Sequence, residues 1–193
     1  MPRLHDYVLS ADCYAARLMF ALAGVGYESV AVDVYPGGAI APVLEDGDTV
    51  LSEPGAILTH IAGTCDAAGT WLPVTGASEI AEWLAFAGSD LRALAEARLV
   101  AVLGAKGDLV ALNGRGRAAL RIIEDHLTDR RIAGNEWFVG DGPSVADIAL
   151  FPHVMLSHDS GIGHEDYPAI NLWQRRLRKL KGFAGMPGIP DFF

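Results

Sequence analysis

The sequence has few cysteines, few basic residues and no long apolar run. Its 193 residues include only two cysteines, Cys13 and Cys65, which is too few for a disulfide framework and predicts a reducing, cytoplasmic setting. The longest nearly apolar stretch, Leu18–Val25, falls far short of the ~20 residues of a membrane helix, and the first residues show no secretory signal. The 24 acidic residues outnumber the 15 basic ones, and the net charge of −9 argues against nucleic acid or an anionic membrane as a partner.

Apolar residues, by contrast, are plentiful. They make up 51% of the chain, and charged residues make up 20%. This composition excludes the disordered and low-complexity classes and allows a sizeable core. The length suits one compact unit or two small subdomains that share a core.

Strand and helix patterns alternate in the first third of the chain. A short strand is predicted over Leu4–Leu9, followed by Ser10 and Asp12, either of which can cap a helix. Apolar residues then recur every three or four positions until Gly24 ends the helix. Ser29–Val34 alternates with a period of two, which predicts a second strand parallel to the first.

Two more strands and a helix follow. Pro42–Leu44 begins a third strand, and Asp46-Gly47 is a hairpin signal before a fourth strand over Thr49–Leu51. Pro54 suits the first position of a helix. The predicted order is therefore β-α-β followed by β-β-α.

The rest of the chain has helical periodicity. Ser78 opens one long helix or two short ones, and a further helix is predicted over Ala118–Leu127. Ser144 and Asp147 have the spacing of a capping box, which marks the start of another helix. Tyr167-Pro168 opens the last helix.

Four stretches of this sequence carry a resemblance to the bacterial glutathione S-transferases. In chain order they read LSADCYAARL (9–18), APVLEDG (41–47), LSEPGAIL (51–58) and GDGPSVADIAL (140–150). Their order and spacing match that family over nearly the full length. The resemblance implies an α/β N-terminal thioredoxin-like domain over residues 1–74 plus an all-α C-terminal domain over residues 78–193. It also implies a homodimer that uses glutathione as co-substrate, without another cofactor.

The chemistry of glutathione conjugation requires a thiolate, because the thiol is a poor nucleophile. A hydroxyl donor and the N-terminus of a helix both favour a negative charge on sulfur. By resemblance, Ser10 occupies the catalytic Ser/Cys position at the start of the first helix. The alternative, that Ser10 only caps this helix, requires the same geometry and stays open.

Five residues are implied by the resemblance to bind glutathione. Pro42 is the cis-proline of the family, and Ala41 before it offers its main chain to the cysteinyl part of the tripeptide. Glu53 meets the γ-glutamyl ammonium group. Pro54 and Gly55 lie where the family binds the γ-glutamyl carboxylate.

The sequence departs from the family at two points. Pro54 replaces a residue, usually Ser, that offers a hydroxyl and an N–H group. Only eight residues, Val34–Ala41, separate the second strand from the proline, whereas the family has about twenty, including a helix. The loss of two hydrogen bonds to charged groups would cost about 3–6 kcal/mol, or two to four decades in affinity.

Our leading hypothesis is an enzyme that conjugates glutathione to a small hydrophobic electrophile, with Phe86 near an apolar second pocket. One alternative is a non-catalytic binding or assembly module with the same fold. A second is a thiol oxidoreductase that uses Cys13, although a lone cysteine is more often a buried small hydrophobic residue. The spacing of His153, His158 and His164 does not favour a metal site, so we predict none.

Overall fold

The computed structural model of the chain describes residues 1–32, 41–65 and 69–187. A mixed sheet with two helices comes first, formed by β1 (Arg3–Asp6), α1 (Ala11–Ala23), β2 (Glu28–Ala31), β3 (Val43–Asp46), β4 (Thr49–Leu51) and α2 (Pro54–Cys65). The strand order is β2-β1-β3-β4. Strand β1 runs parallel to β2, and β3 runs antiparallel to both β1 and β4. The predicted order of strands and helices is confirmed.

A helical part follows the sheet. It comprises α3 (Ala77–Gly88), α4 (Arg92–Leu103), α5 (Leu109–Ile132), α6 (Val145–Met155) and α7 (Pro168–Leu177), with a short 3-10 helix at Leu156–Ser160. The predicted fold class, a thioredoxin-like α/β part followed by an all-helical part, is confirmed. The boundary predicted between residues 74 and 78 coincides with the start of α3 at Ala77. In the described parts of the chain, no helix has both the length and the apolar character needed to cross a membrane.

The predicted start and end of α1 and the predicted turn between β3 and β4 are confirmed. Ser10, rather than Asp12, is the N-cap of α1, because its backbone is extended and its hydroxyl accepts a hydrogen bond from the Cys13 N–H. Gly24 ends the helix with a left-handed φ of 70°. Gly47 has a φ of 59° between β3 and β4, a conformation that favours glycine in a tight turn.

The first two strands are shorter than predicted. Strand β1 ends at Asp6, because the Ser10 N–H donates to the Tyr7 carbonyl at 2.9 Å and closes a turn over residues predicted to be extended. Strand β2 ends at Ala31. The last two residues of the predicted strand over 29–34 lie outside the described residues, as does the connection over 34–41 except for Ala41.

The helical part decides between two predicted alternatives and differs from the prediction in the length of one helix. The pattern that begins at Ser78 forms two helices, α3 and α4, separated by a break at residues 89–91 where Ser89 leaves the helical conformation. The helix predicted over Ala118–Leu127 extends over the whole of α5, which has 24 residues. Its first turn is capped by Asp108, whose carboxylate accepts from the Ala111 N–H at 3.0 Å. The apolar periodicity detects only the buried middle of this helix.

Helix α6 lies at the centre of the core, and every one of its residues is buried. It packs against α1 and α2 from the sheet part and against α3 and α4 from the helical part. A helix that is apolar on all sides can be stable only when neighbours surround it. The two parts therefore share one core.

Asp147 ties the start of α6 to its surroundings. One carboxylate oxygen accepts from the Ser144 N–H at 2.9 Å and from its hydroxyl at 3.0 Å, which confirms the predicted capping box. The other accepts from the Trp173 indole N–H at 2.9 Å and from the Phe138 N–H at 3.3 Å. Burial raises the pKa of this carboxyl, although all four donors favour its charged form.

We predict that Asp147→Ala lowers the free energy of unfolding by at least about 3 kcal/mol, because it leaves four buried donors without an acceptor. Urea unfolding followed by circular dichroism measures this loss. Asp129→Ala, at an exposed position in α5, is the matched control and should change stability by less than about 0.5 kcal/mol. Equal losses in the two variants would contradict a central role for Asp147.

Candidate active site

The strand pairing brings the predicted site segments to one edge of the sheet. His5 pairs with Val43 between antiparallel strands β1 and β3, and Leu44 pairs with Leu51 between antiparallel strands β3 and β4. The C-terminal ends of β1 and β4 therefore meet the N-terminal end of β3. Helix α1 follows β1, and α2 follows β4, so two helix N-termini begin at this edge. Such an arrangement favours the binding of negatively charged groups there.

Ser10 lies at the mouth of α1 and is half-buried. Its hydroxyl oxygen accepts from the Cys13 N–H at 3.2 Å. A serine hydroxyl has one hydrogen to donate besides the lone pairs with which it accepts, so capping does not use up its capacity as a donor. The geometry fits both interpretations of Ser10, cap and hydrogen-bond donor to a thiolate.

The thiol of Cys13 lies inside the protein, with no exposed surface. Its sulfur accepts from the Tyr7 N–H at 3.3 Å. Burial raises the pKa of the thiol to about 11, and the hydrogen bonds from Tyr7 and Ser10 offset only part of that effect. These properties are those of an inert buried cysteine and favour that alternative over a reactive thiol.

The cis peptide bond predicted between Ala41 and Pro42 is present. Pro42 is buried and Ala41 is half-buried at the start of β3. Continuing the register of β1 and β3 by one step places Pro42 opposite Asp6, directly before the turn over residues 7–10. The main chain of Ala41 thus begins the strand next to the segment that leads to Ser10.

Glu53 caps the N-terminus of α2 with its own carboxylate. One oxygen accepts from the Gly55 N–H at 3.1 Å, and the other accepts from the Ala56 N–H. Pro54, the first residue of the helix, has no N–H group to offer. The amide of Gly55, which the resemblance assigns to the γ-glutamyl carboxylate, is therefore already engaged by the chain.

A cavity of about 210 Å³ lies beside this cap. Its lining comes from α1, α2, α3, α4 and α6 and consists of Asp12, Ala15, Glu53, Pro54, Gly55, Leu58, Leu84, Ala87, Gly88, Arg92 and Ala149. Three of the predicted glutathione-binding residues thus share one cavity, while Ser10, Cys13, Ala41 and Pro42 are not part of its lining. The volume is below the roughly 300–1,000 Å³ of most small-molecule sites.

Asp12 adds a charge to this cavity that the sequence did not single out. His153 of α6 is buried, and its Nε2 lies 3.0 Å from a carboxylate oxygen of Asp12. Burial alone would raise the pKa of Asp12, but the hydrogen bond and charge of His153 and the charge of Arg92 outweigh it and lower the pKa. Asp12 is thereby held as an anion in the first turn of α1.

Phe86, His158 and His164 pack against other aromatic side chains. Phe86 packs edge-on against Trp83, with ring centroids 5.3 Å apart, and is not part of the cavity lining. His164 lies 2.8 Å from the Ser157 hydroxyl, and His158 packs against it with a centroid distance of 4.1 Å. In residues 1–32, 41–65 and 69–187, no group of three or more His, Cys, Asp or Glu side chains could hold a metal ion.

Comparisons with known proteins agree on one fold and find similarity to glutathione S-transferases. The family model described as "Glutathione S-transferase, C-terminal domain" matches residues 108–176. A curated relative, glutathione S-transferase GST-4.5 of Xanthomonas campestris pv. campestris, is 27% identical over 146 residues, which cover 74% of this chain and 71% of the relative. The crystal structure of a glutathione S-transferase from Xanthobacter autotrophicus Py2 has a TM-score of 0.82 and 29% identity, with 97% of each chain covered.

A fourth match extends the fold beyond the bacterial proteins. The nitrogen regulation fragment of the yeast prion protein Ure2p has a TM-score of 0.81 and 20% identity, with 94% of this chain and 93% of that chain covered. At that identity the match concerns the fold alone. Residues 108–176 match the model of the glutathione S-transferase C-terminal domain, and the chain as a whole is similar in sequence and fold to bacterial glutathione S-transferases.

We predict that Cys13 of the native protein resists alkylation by iodoacetamide at pH 8. With a pKa of about 11, only about one thiol in a thousand is ionised at that pH, and no part of the side chain is exposed. Peptide mass spectrometry before and after unfolding in urea measures the modification of Cys13. Complete modification of the folded protein within minutes would contradict the burial of this thiol.

Proposed function

We propose that the protein is an enzyme that conjugates glutathione to a small hydrophobic electrophile, with the Ser10 hydroxyl stabilising the glutathione thiolate. The observation that carries this proposal is the position of Ser10. Its hydroxyl lies at the N-terminus of α1, on the sheet edge from which β3 and α2 also begin. We further propose that it acts in the cytoplasm as a homodimer, as the family resemblance implies.

The chemical step follows from the properties of the thiol. An unperturbed thiol has a pKa of about 8.5, and lowering it by two units requires about 2.7 kcal/mol. A hydroxyl that donates to the sulfur and the positive end of a helix together supply stabilisation of this order. The thiol proton leaves to solvent, the sulfur lone pair forms a bond to the electrophilic carbon, and a leaving group departs or the product takes up a proton.

The tripeptide would be bound mainly through the main chain and one carboxylate. Ala41 offers its backbone to the cysteinyl part, and this contact does not depend on its side chain. Glu53 would receive the γ-glutamyl ammonium group with the lone pairs that its two capping bonds leave unused. Because the Gly55 amide is engaged and Pro54 has none, we expect a dissociation constant for glutathione in the millimolar range.

Calorimetry with millimolar glutathione tests this proposal directly. Heat that saturates with one site per chain would support it, and absence of binding at that concentration would reject it. Retention on immobilised glutathione is an independent check. Conjugation is then measured with a panel of small apolar electrophiles.

We predict that Ser10→Ala lowers kcat/KM for conjugation about 10- to 100-fold near pH 7, the loss expected for one hydrogen bond to a charged group. The same variant should lose about 1 kcal/mol of stability, since alanine cannot cap α1. Steady-state kinetics and urea unfolding measure the two effects.

Two further substitutions separate catalysis from capping. Ser10→Gly removes the hydroxyl but costs a cap only a few tenths of a kcal/mol, so it should be stable and as impaired as Ser10→Ala. Ser10→Thr keeps the hydroxyl and should retain most of the activity. Full activity in Ser10→Gly would show that Ser10 is only a cap.

We predict that Glu53→Gln weakens glutathione binding up to about fivefold, because an exposed ion pair with the ammonium group is lost. The amide oxygen still accepts one helix N–H, so the melting temperature should change little. Calorimetry of the variant beside the unchanged protein measures the shift. Tighter binding by the variant would instead identify Glu53 as a competitor of the ligand carboxylate for the amides of α2.

A non-catalytic binding or assembly module is the second candidate. Pro54 and the capping carboxylate of Glu53 favour it, since both reduce what α2 offers to glutathione. A Cys13-dependent oxidoreductase is disfavoured by the burial of that thiol, and the absence of a glutathione adduct on Cys13 after exposure to oxidised glutathione would reject it.

A further inference from the structure

Two arginines hold consecutive carbonyl groups of the turn that leads to Ser10. Arg17, from α1, donates to the Val8 carbonyl at 3.0 Å. Arg98, from α4 in the helical part, donates to the next carbonyl, that of Leu9. Because the Leu9 carbonyl and the Ser10 N–H belong to the same peptide group, Arg98 acts on the group that immediately precedes the hydroxyl.

The burial of the Arg98 guanidinium at this contact is unfavourable unless its charge is compensated. Its side chain is only 7% exposed, and a guanidinium with so little contact with water needs charged and hydrogen-bonding partners. Asp159, which is 31% exposed, accepts from its Nε at 2.7 Å. This ion pair stabilises the buried charge, and an Nη1–H group of the same guanidinium donates to the Leu9 carbonyl.

We propose that Arg98 is a positioning residue for Ser10, which fixes the Leu9–Ser10 peptide and adds a positive charge that stabilises a sulfur anion at the mouth of α1. As applied to glutathione, the inference rests on the proposed function. The effect on an anion at position 10 is a property of this chain alone and can be measured without glutathione. Asp159 opposes the effect, because its charge partly neutralises Arg98.

Other charged groups also face this region and stay constant in the test. On the sheet side, the carboxylate of Asp6 pairs with Arg17. On the helix side, Asp12 pairs with His153 and is influenced by Arg92. Because these groups are present in every variant compared, a difference in pKa reports on Arg98 and Asp159.

The probe is the full-length chain with Ser10→Cys, which puts a titratable thiol at the position of the hydroxyl. The ultraviolet absorbance of the thiolate is followed from pH 5 to pH 9. Cys13 stays protonated in this range because its pKa is about 11. The unchanged chain, titrated in parallel, is the blank for every other thiol.

Adding Arg98→Met to the probe should raise the pKa of the introduced thiol by about one unit, a tenfold loss of thiolate at neutral pH, as expected when a nearby positive charge is removed. Adding Asp159→Asn should instead lower the pKa, since Arg98 loses its neutralising partner. The two substitutions break the same ion pair, so a purely structural role would move the pKa in the same direction in both.

Two controls complete the design. Arg98→Lys keeps the charge and should recover part of the shift caused by Arg98→Met. Arg121→Met removes an exposed arginine of α5 that pairs with Asp125, and should leave the pKa unchanged. Circular dichroism establishes that each variant is folded.

Three outcomes would overturn the inference: an unchanged pKa in the Arg98→Met probe, shifts of the same sign in the two variants, or an equal shift in the Arg121→Met control. Should Arg98→Met not fold, Asp159→Asn decides alone, because a pKa that rises or stays constant there contradicts the role of Arg98. If glutathione does not bind in calorimetry while the opposite shifts are observed, the proposed function fails and the inference stands. If glutathione binds but the opposite shifts are not observed, the inference fails and the proposed function stands.

Discussion

The structure depends on the complete burial of helix α6. Because all of its residues are buried, it has no solvent-facing side, and helices from both parts of the chain must pack around it. Two polar side chains of α6 form hydrogen bonds with different parts of the protein. Asp147 binds the segments around Phe138 and Trp173 within the helical part, and His153 binds Asp12 in the first turn of α1. The same helix therefore stabilises the core and positions the first helix of the candidate site.

This arrangement explains why the candidate site is built from both parts of the chain. The sheet supplies the edge at which the mouths of α1 and α2 and the start of β3 meet. The helical part supplies the cavity wall at Leu84 and Ala87 and the two side chains, Arg98 and His153, that reach into the first residues of α1 and the turn before it. The electrostatics at this edge are balanced rather than uniformly positive, since each positive group has a carboxylate nearby.

Short-range features could be predicted well from the sequence. Ser10 as a helix cap, Gly24 as a helix end and the Ser144–Asp147 capping box each depend on interactions within a few residues, which the sequence displays directly. The cis bond before Pro42 came from the family resemblance. The fold class came from the same resemblance, and the order of the strand and helix patterns agreed with it, because a strand, a crossover helix and a parallel strand have few alternatives.

Contacts between distant residues could not be predicted in this way. Asp12 and His153 are 141 positions apart, and Arg98 is 89 positions from Leu9, so no periodicity or local motif connects them. The capping role of Glu53 is a different case. A carboxylate directly before a proline at the first helical position is a recognisable cap signal, but the family resemblance directed attention to its role in binding the ligand.

The contact between Arg98 and Leu9 also determines when the turn before Ser10 can be completed during synthesis. The sheet and its two helices are translated before the helical part, the guanidinium that binds the Leu9 carbonyl lies on α4, and the carboxylate that supports it arrives with residue 159. Until α4 has been made, one carbonyl of the turn lacks its partner from the helical part. The junction of the first strand and the first helix therefore reaches its final form only after residue 159 has been translated.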